Sequence, residues 1–139
     1  MLAVNRMTEY ATLVMVRLAA EPFRAKSANE LAAEIPLAPT TLRKLLQMLA
    51  SQRLLTSRKG RNGGFALARP AAEITLAQVM EAMNDPLVLI PCQESSGSCP
   101  LARICTPRPH WMRINQGIRA LLENTTLTQM VADDKEGAP

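Results

Sequence analysis

Aromatic residues are scarce in this 139-residue chain: one Trp, one Tyr and two Phe, 3% in all. A core with so few rings must be filled by Leu, Met, Val, Ile and Ala, which favours helices over a β-sandwich. No apolar run approaches the ~20 residues that a membrane helix needs. The opening segment, MLAVNRMTEY, lacks an apolar signal stretch with a small-residue cleavage site. The sequence therefore predicts a cytoplasmic protein without a membrane partner. Three cysteines is an odd number, and a reducing compartment argues against a disulfide framework. There is no Cys-x-x-Cys, no carboxylate pair around the single His and no phosphate-binding loop before a helix, so nothing supports an enzyme.

Acidic residues are missing over one long stretch. None lies between Glu34 and Glu73, whereas Arg43, Lys44, Arg53, Arg58, Lys59, Arg61 and Arg69 all do. Residues 1–70 hold eleven Lys/Arg against four Asp/Glu, and residues 71–139 hold five against eight. Such a basic block is either a solvated face or the footprint of a phosphate-backbone partner.

What is present is dense helix punctuation. A first helix is expected from about Thr8 to Ala20, stopping before Pro22. Ser27-Ala-Asn-Glu30 is a capping box, in which hydroxyl and carboxylate each satisfy an orphan N–H of the first turn. It opens a short helix that ends at Pro36. A third helix follows Pro39, whose fixed φ suits a first-turn position. Leu42, Leu45, Leu46 and Leu49 fall on one apolar face of it, while Thr40, Thr41, Arg43, Lys44 and Gln47 fall elsewhere. Two short helices joined by Pro36-Leu37-Ala38-Pro39 read as a helix-turn-helix whose second helix can enter a major groove.

Leu54–Arg58 and Phe65–Ala68 are strand-like, and Lys59-Gly60-Arg61-Asn62-Gly63-Gly64 lies between them. Asn-Gly and Gly-Gly favour the positive φ angles of tight hairpins. A basic hairpin after a recognition-type helix is a wing, whose Arg or Lys can reach a narrow minor groove. Thr75-Leu-Ala-Gln78 is a second capping box, for a helix ending before Pro86. A long helix should begin near His110, with Trp111, Ile114, Ile118 and Leu121 forming a seam for either a partner helix or the chain's own core. A third capping box, Thr126-Leu-Thr-Gln129, opens a short turn before an acidic, frayed tail. The fold class expected is mainly α: a winged helix-turn-helix with a two-stranded wing and a long C-terminal dimerisation helix. Its divisions are a DNA-binding domain (1–85), a cysteine-containing loop (86–109), a dimerisation helix and turn (110–132) and a flexible tail (133–139).

The loop 86–109 holds five of the ten prolines and all three cysteines. The thiols of Cys92, Cys99 and Cys105 are soft ligands, suited to zinc or an iron–sulfur cluster. The spacings are wider than the Cys-x2–4-Cys pairs of structural zinc sites. Free redox thiols and inert thiols are the alternatives. A cluster needs a further ligand, for which His110 or a carboxylate from elsewhere is a candidate. A thiol-redox or zinc-binding protein without cluster sensing is the rival to a DNA-binding regulator.

Several segments together carry a resemblance: M-T-E-Y-A at 7–11, R-K-G-R-N-G-G-F at 58–65, A-R-P-A-A-E-I-T at 68–75, T-L-T-Q-M-V at 126–131 and the cysteine triad. Along nearly its whole length the chain resembles the IscR/NsrR (Rrf-two) family of iron–sulfur-sensing winged-helix repressors. W-M-R-I-N-Q-G-I at 111–118 is most like the branch regulating SUF iron–sulfur assembly operons, and C-P-L-A-R-I-C at 99–105 is similar to the nitric-oxide-sensing branch. The resemblance implies a homodimer on a pseudo-palindromic double-stranded DNA operator, controlling iron–sulfur assembly genes. It implies a 2Fe–2S or 4Fe–4S cluster on Cys92, Cys99 and Cys105. Glu9 stands where some relatives place an acidic fourth ligand from the partner subunit, and Arg108 where another has a His. By position, the DNA contacts implied are Thr40, Arg43 and Lys44 on the recognition helix, with Thr41 beside them, and Arg58, Lys59 and Arg61 in the wing.

Overall fold

The computed structural model describes residues 3–85 and 99–135. Cys92 and most of the loop 86–109 lie outside the described residues, as does the end of the tail. Helix α1 (Arg6–Ala20) is followed by α2 (Ala28–Glu34) and α3 (Pro39–Ser51). Strands β1 (Leu55–Arg58) and β2 (Gly64–Leu67) form an antiparallel pair, with Leu55 opposite Leu67 and Arg58 opposite Gly64. A turn of 3₁₀ helix (Ala71–Glu73) leads to α4 (Leu76–Ala82), and after the loop come α5 (Arg108–Asn124) and α6 (Leu127–Lys135). This is a winged helix-turn-helix, as the sequence pattern predicts. No described helix is long and apolar enough to cross a membrane.

The caps explain the boundaries. Asn5 accepts the Thr8 N–H at 2.8 Å, so α1 begins at Arg6, two residues earlier than the apolar pattern indicates. The Asn5 N–H in turn donates to the Asp85 carboxylate at 3.0 Å, fastening the start of α1 to the end of the α4 segment. All three capping boxes form, with Ser27–Glu30, Thr75–Gln78 and Thr126–Gln129 each making the reciprocal pair of bonds. The last two boxes also meet each other. The Leu76 N–H donates to the Thr125 carbonyl at 2.8 Å and the Leu127 N–H to the Ile74 carbonyl at 3.0 Å.

The core gathers Val14, Met15 and Leu18 of α1, Leu31, the four leucines of α3, Ile74, Val79 and Leu127. Leu42, Leu45, Leu46 and Leu49 are all fully buried, the face that the i, i+3, i+4, i+7 spacing predicts. At about 1.5–3 kcal/mol for each such side chain, this stripe alone outweighs the helix propensity of α3 many times over. Two expectations need correction. After Thr126 the chain forms a nine-residue helix through Lys135, not a short turn and a fray at Asp133. The reason is tertiary: α6 lies against α1, with Leu127 fully buried and Met130 and Val131 packed on the core. The wing tip also differs. The Gly63 N–H donates to the Gly60 carbonyl at 3.0 Å, so the turn is centred on Arg61-Asn62. Positive φ falls at Gly60 (109°) and Gly64 (143°), not at Asn62 and Gly63. Arg58 pairs with Gly64, leaving five residues between, too long a loop for a two-residue hairpin turn.

Candidate nucleic-acid interface and cysteine segment

The recognition-type helix presents Thr40, Arg43 and Lys44 exposed and Thr41 half-buried, opposite its leucine face. Thr56, Ser57, Arg58, Lys59 and Arg61 are exposed along the wing. The wing is not a free-standing hairpin. The Lys26 N–H donates to the Phe65 carbonyl at 2.9 Å, and the Phe65 N–H to the Lys26 carbonyl at 2.8 Å. That bridge ties β2 to the segment just before α2. Gly64 makes the approach feasible, because a Cβ there would sit 2.3 Å from the Lys26 carbonyl oxygen.

Lys26 itself is 4% exposed. Its ammonium reaches Glu34 at 2.8 Å and Glu21 at 3.4 Å. The hydrogen bond to Glu34 outweighs burial and raises its pKa, so the buried amine stays charged. Arg24 pairs with Glu21 and Glu30, which raises the Arg24 pKa. Glu21 is held below the ordinary carboxylate range, first by Arg24 and then by Lys26, and Glu30 first by the Ser27 N–H.

The cations differ in their pairing. Arg6, Arg24, Lys26 and Arg119 sit in ion pairs. Among the described residues, Arg43, Lys44, Arg58, Lys59 and Arg61 have no carboxylate partner. The sequence reason is the gap in acidic residues from Glu34 to Glu73. Five exposed, unneutralised cations on one helix face and its adjoining hairpin can neutralise phosphates without first breaking an internal pair.

The cysteine segment is described only from residue 99 onward. Cys99 and Cys105 are free thiols, both half-buried. Short turns connect them, with the Ala102 N–H on the Cys99 carbonyl at 3.1 Å. Three residues past Cys105, the Arg108 Nε–H is buried without an acceptor. A buried guanidinium donor without an acceptor, three residues along the chain from a free thiol, is compatible with an anionic centre nearby. The other ligand candidates are engaged elsewhere: Glu9 pairs with Arg6 at 3.0 Å, and His110 Nδ1 lies 3.1 Å from an Arg113 guanidinium nitrogen. No group of three metal-ligating residues occurs among the described residues, Cys92 lying outside them. Residues 4–133 match the Rrf2 family, described as iron-dependent transcriptional regulators. The chain belongs to the Rrf2 family. It is 34% identical over 124 residues to a Mycobacterium tuberculosis chain named as an HTH-type transcriptional regulator, covering 88% of this chain and 76% of the relative. Among solved structures it superposes on CymR, the global cysteine regulator of B. subtilis, with TM-score 0.79 at 23% identity, covering 95% of this chain and 98% of that one. T. potens IscR gives TM-score 0.76 at 22% identity, over 99% and 93% of the two chains. The chain is thus a transcriptional regulator of the Rrf2 family.

Lys26 and Gly64 are not legible in the sequence as wing-positioning residues. A lone lysine carries no periodicity, and its importance comes from a partner strand 39 residues away in sequence, at Phe65.

Proposed function

We propose that this Rrf2 regulator acts as a homodimer that represses from a double-stranded operator, with α3 in the major groove and the wing against the flanking backbone or minor groove. The observation that carries this is the unpaired state of Arg43, Lys44, Arg58, Lys59 and Arg61 beside the fully paired Arg24 and Lys26. Thr40 and Thr41 supply hydroxyls for base edges or phosphate, and Arg43 suits guanine edges. The wing cations supply backbone affinity.

Cys92, Cys99 and Cys105 would hold an iron–sulfur cluster, with Glu9 of the partner subunit or His110 as the candidate fourth ligand. Such a cluster supplies a centre that responds to iron–sulfur status, oxidation or nitric oxide. Arg108 donates toward it, and the segment from Cys99 leads straight into α5, whose apolar residues pair with the second copy. A coupling of about 1–3 kcal/mol between that segment and the two heads makes a useful switch. The genes controlled, on this reading, are those for iron–sulfur assembly. Anaerobic purification followed by operator binding with and without the cluster tests it. A visible absorption band and different affinities for the two forms are expected, and equal affinities would refute the switch. A second reading, thiol sensing without a cluster, is favoured by the two free, half-buried cysteines and by the likeness to the global cysteine regulator of B. subtilis. Colourless protein whose DNA affinity changes with thiol oxidation would establish it instead.

A further inference from the structure

A groove of about 580 Å³ runs between the start of α1 and the start of α3, lined by Asn5, Arg6, Thr40, Thr41 and Lys44 together with Met7, Met48 and Met83. Two of those side chains, Arg6 and Lys44, are cations, and four of the residues, Thr40, Thr41, Lys44 and Met48, belong to the recognition-type helix. We propose that this groove is a seat for a DNA backbone phosphate, with Arg6 as a contact outside the recognition helix and wing, and with Glu9 as its internal competitor.

The pairing pattern singles out Arg6. Among the described residues Arg24, Lys26 and Arg119 each bridge two carboxylates, whereas Arg6 has one, Glu9 at 3.0 Å. Both members of that pair are exposed, 76% for the Arg6 side chain and 52% for Glu9. An exposed i,i+3 pair is weak and easily exchanged. A phosphate seated in the groove offers the guanidinium two parallel charge-assisted hydrogen bonds in its place. Lys44, Thr40 and Thr41 line the same groove across from Arg6, so residues able to donate stand on both sides of it. Asn5 is bound to Asp85 and to Thr8, which fixes the wall that carries Arg6. The position also follows from how α3 would dock: a phosphate flanking the groove that α3 enters lies beside its first turn, where α1 begins.

The proposal rests on the DNA-binding reading of α3, and the test separates the two. The probe is a mixed-sequence duplex, since binding to phosphate carries no base preference. Affinity is measured against salt by fluorescence anisotropy on the full-length protein, with preparations matched for visible absorption. Arg6→Gln is expected to weaken binding several-fold and to lower the log–log salt slope by about 0.9 for each phosphate left unneutralised. Arg6→Lys is expected to restore most of the slope. Glu9→Gln is expected to tighten binding several-fold, because the competitor is gone. Unchanged thermal midpoints show that the folds are intact. If Arg6→Gln leaves affinity and slope unchanged while Lys44→Gln lowers both, the Arg6 seat is overturned and the reading of α3 stands. If neither changes, the reading of α3 falls and the seat with it. If Glu9→Gln weakens binding at unchanged visible absorption, Glu9 is a support for Arg6 and the competition is overturned; if it abolishes the absorption band, Glu9 serves the cluster and the competition is overturned as well.

Discussion

The winged head and α5 solve opposite problems. The head buries all four leucines of α3, with Phe23 and Val4 left outside its core, and leaves its cations on α3 and the wing unpaired. Helix α5 leaves its apolar residues out, with Trp111 46%, Ile114 49% and Leu121 70% exposed, while Arg119 is held by Glu81 and Glu123. The only buried residue of α5 is polar, Asn115. Both helices have one apolar side, so composition does not separate them. Their surroundings do: α3 is enclosed by its own chain, whereas α5 touches it mainly through α4. Exposed aromatic and aliphatic residues in a row are the makings of an interface core. The free charges of the head suit DNA, and the free apolar side of α5 suits a second copy.

The largest expected effect breaks the α5 side. Ile114→Asp combined with Leu121→Asp should convert the dimer to monomer in sedimentation at micromolar concentration. It should also cost about 10²–10⁴-fold in operator affinity, because two linked heads become two separate ones. The head's own unfolding should hardly change, since neither residue belongs to its core. A dimer that survives the double substitution would show that another surface joins the protomers.

The next effect lies inside the head, where two glycines can be set against each other. Gly64 has φ +143° and no room for a Cβ against the Lys26 carbonyl, whereas Gly60 has φ +109° and open space around it. Gly64→Val should therefore lose about 1–3 kcal/mol of stability in urea titrations and detach the wing from Lys26. Gly60→Ala suffers only the backbone strain, about 1 kcal/mol. Equal losses at the two positions would mean that the Lys26–Phe65 bridge does not hold the wing.

How much of this is legible in the sequence follows from where each signal lives. The α3 leucine face and the three capping boxes are local patterns, and the structure has them where the sequence places them. The Lys26–Phe65 bridge joins segments far apart in sequence, so no window contains it. The length of α6 also depends on contact with α1, which its own low amphipathicity does not announce. For the site, the charge gap from Glu34 to Glu73 accounts for the free cations of α3 and the wing. It says nothing of Arg6, whose place beside Lys44 arises only when α1 and α3 pack.

A smaller effect compares cations on the two sides. Arg61→Gln on the wing should lower the DNA salt slope by about 0.9 for each phosphate that the side chain neutralises. Arg119→Gln on α5 should leave that slope unchanged, because Glu81 and Glu123 already neutralise it. Equal slopes for wild type and Arg61→Gln would place the wing tip away from the backbone.

The smallest effect concerns the ion pairs that set the wing. Glu21 and Glu30 have folded pKa values below their ordinary 4.5, so their contribution is complete above that value and is lost as pH falls through the lower folded values. Lys26 has a raised pKa, so its contribution is complete below 10.5 and is lost only as pH rises through its still higher folded value. Across neutral pH the tether is therefore fully charged. Lys26→Met keeps the backbone bridge and the buried stem but removes the ammonium between Glu34 and Glu21. At pH 7 it should lower the urea midpoint, and the gap from wild type should close as acid protonates the carboxylates. A gap that stays constant down to the acid limb would assign the role of Lys26 to packing of its stem. The wing would then be positioned by the Gly64 approach alone, and the head's paired cations would be as dispensable to its shape as its free ones.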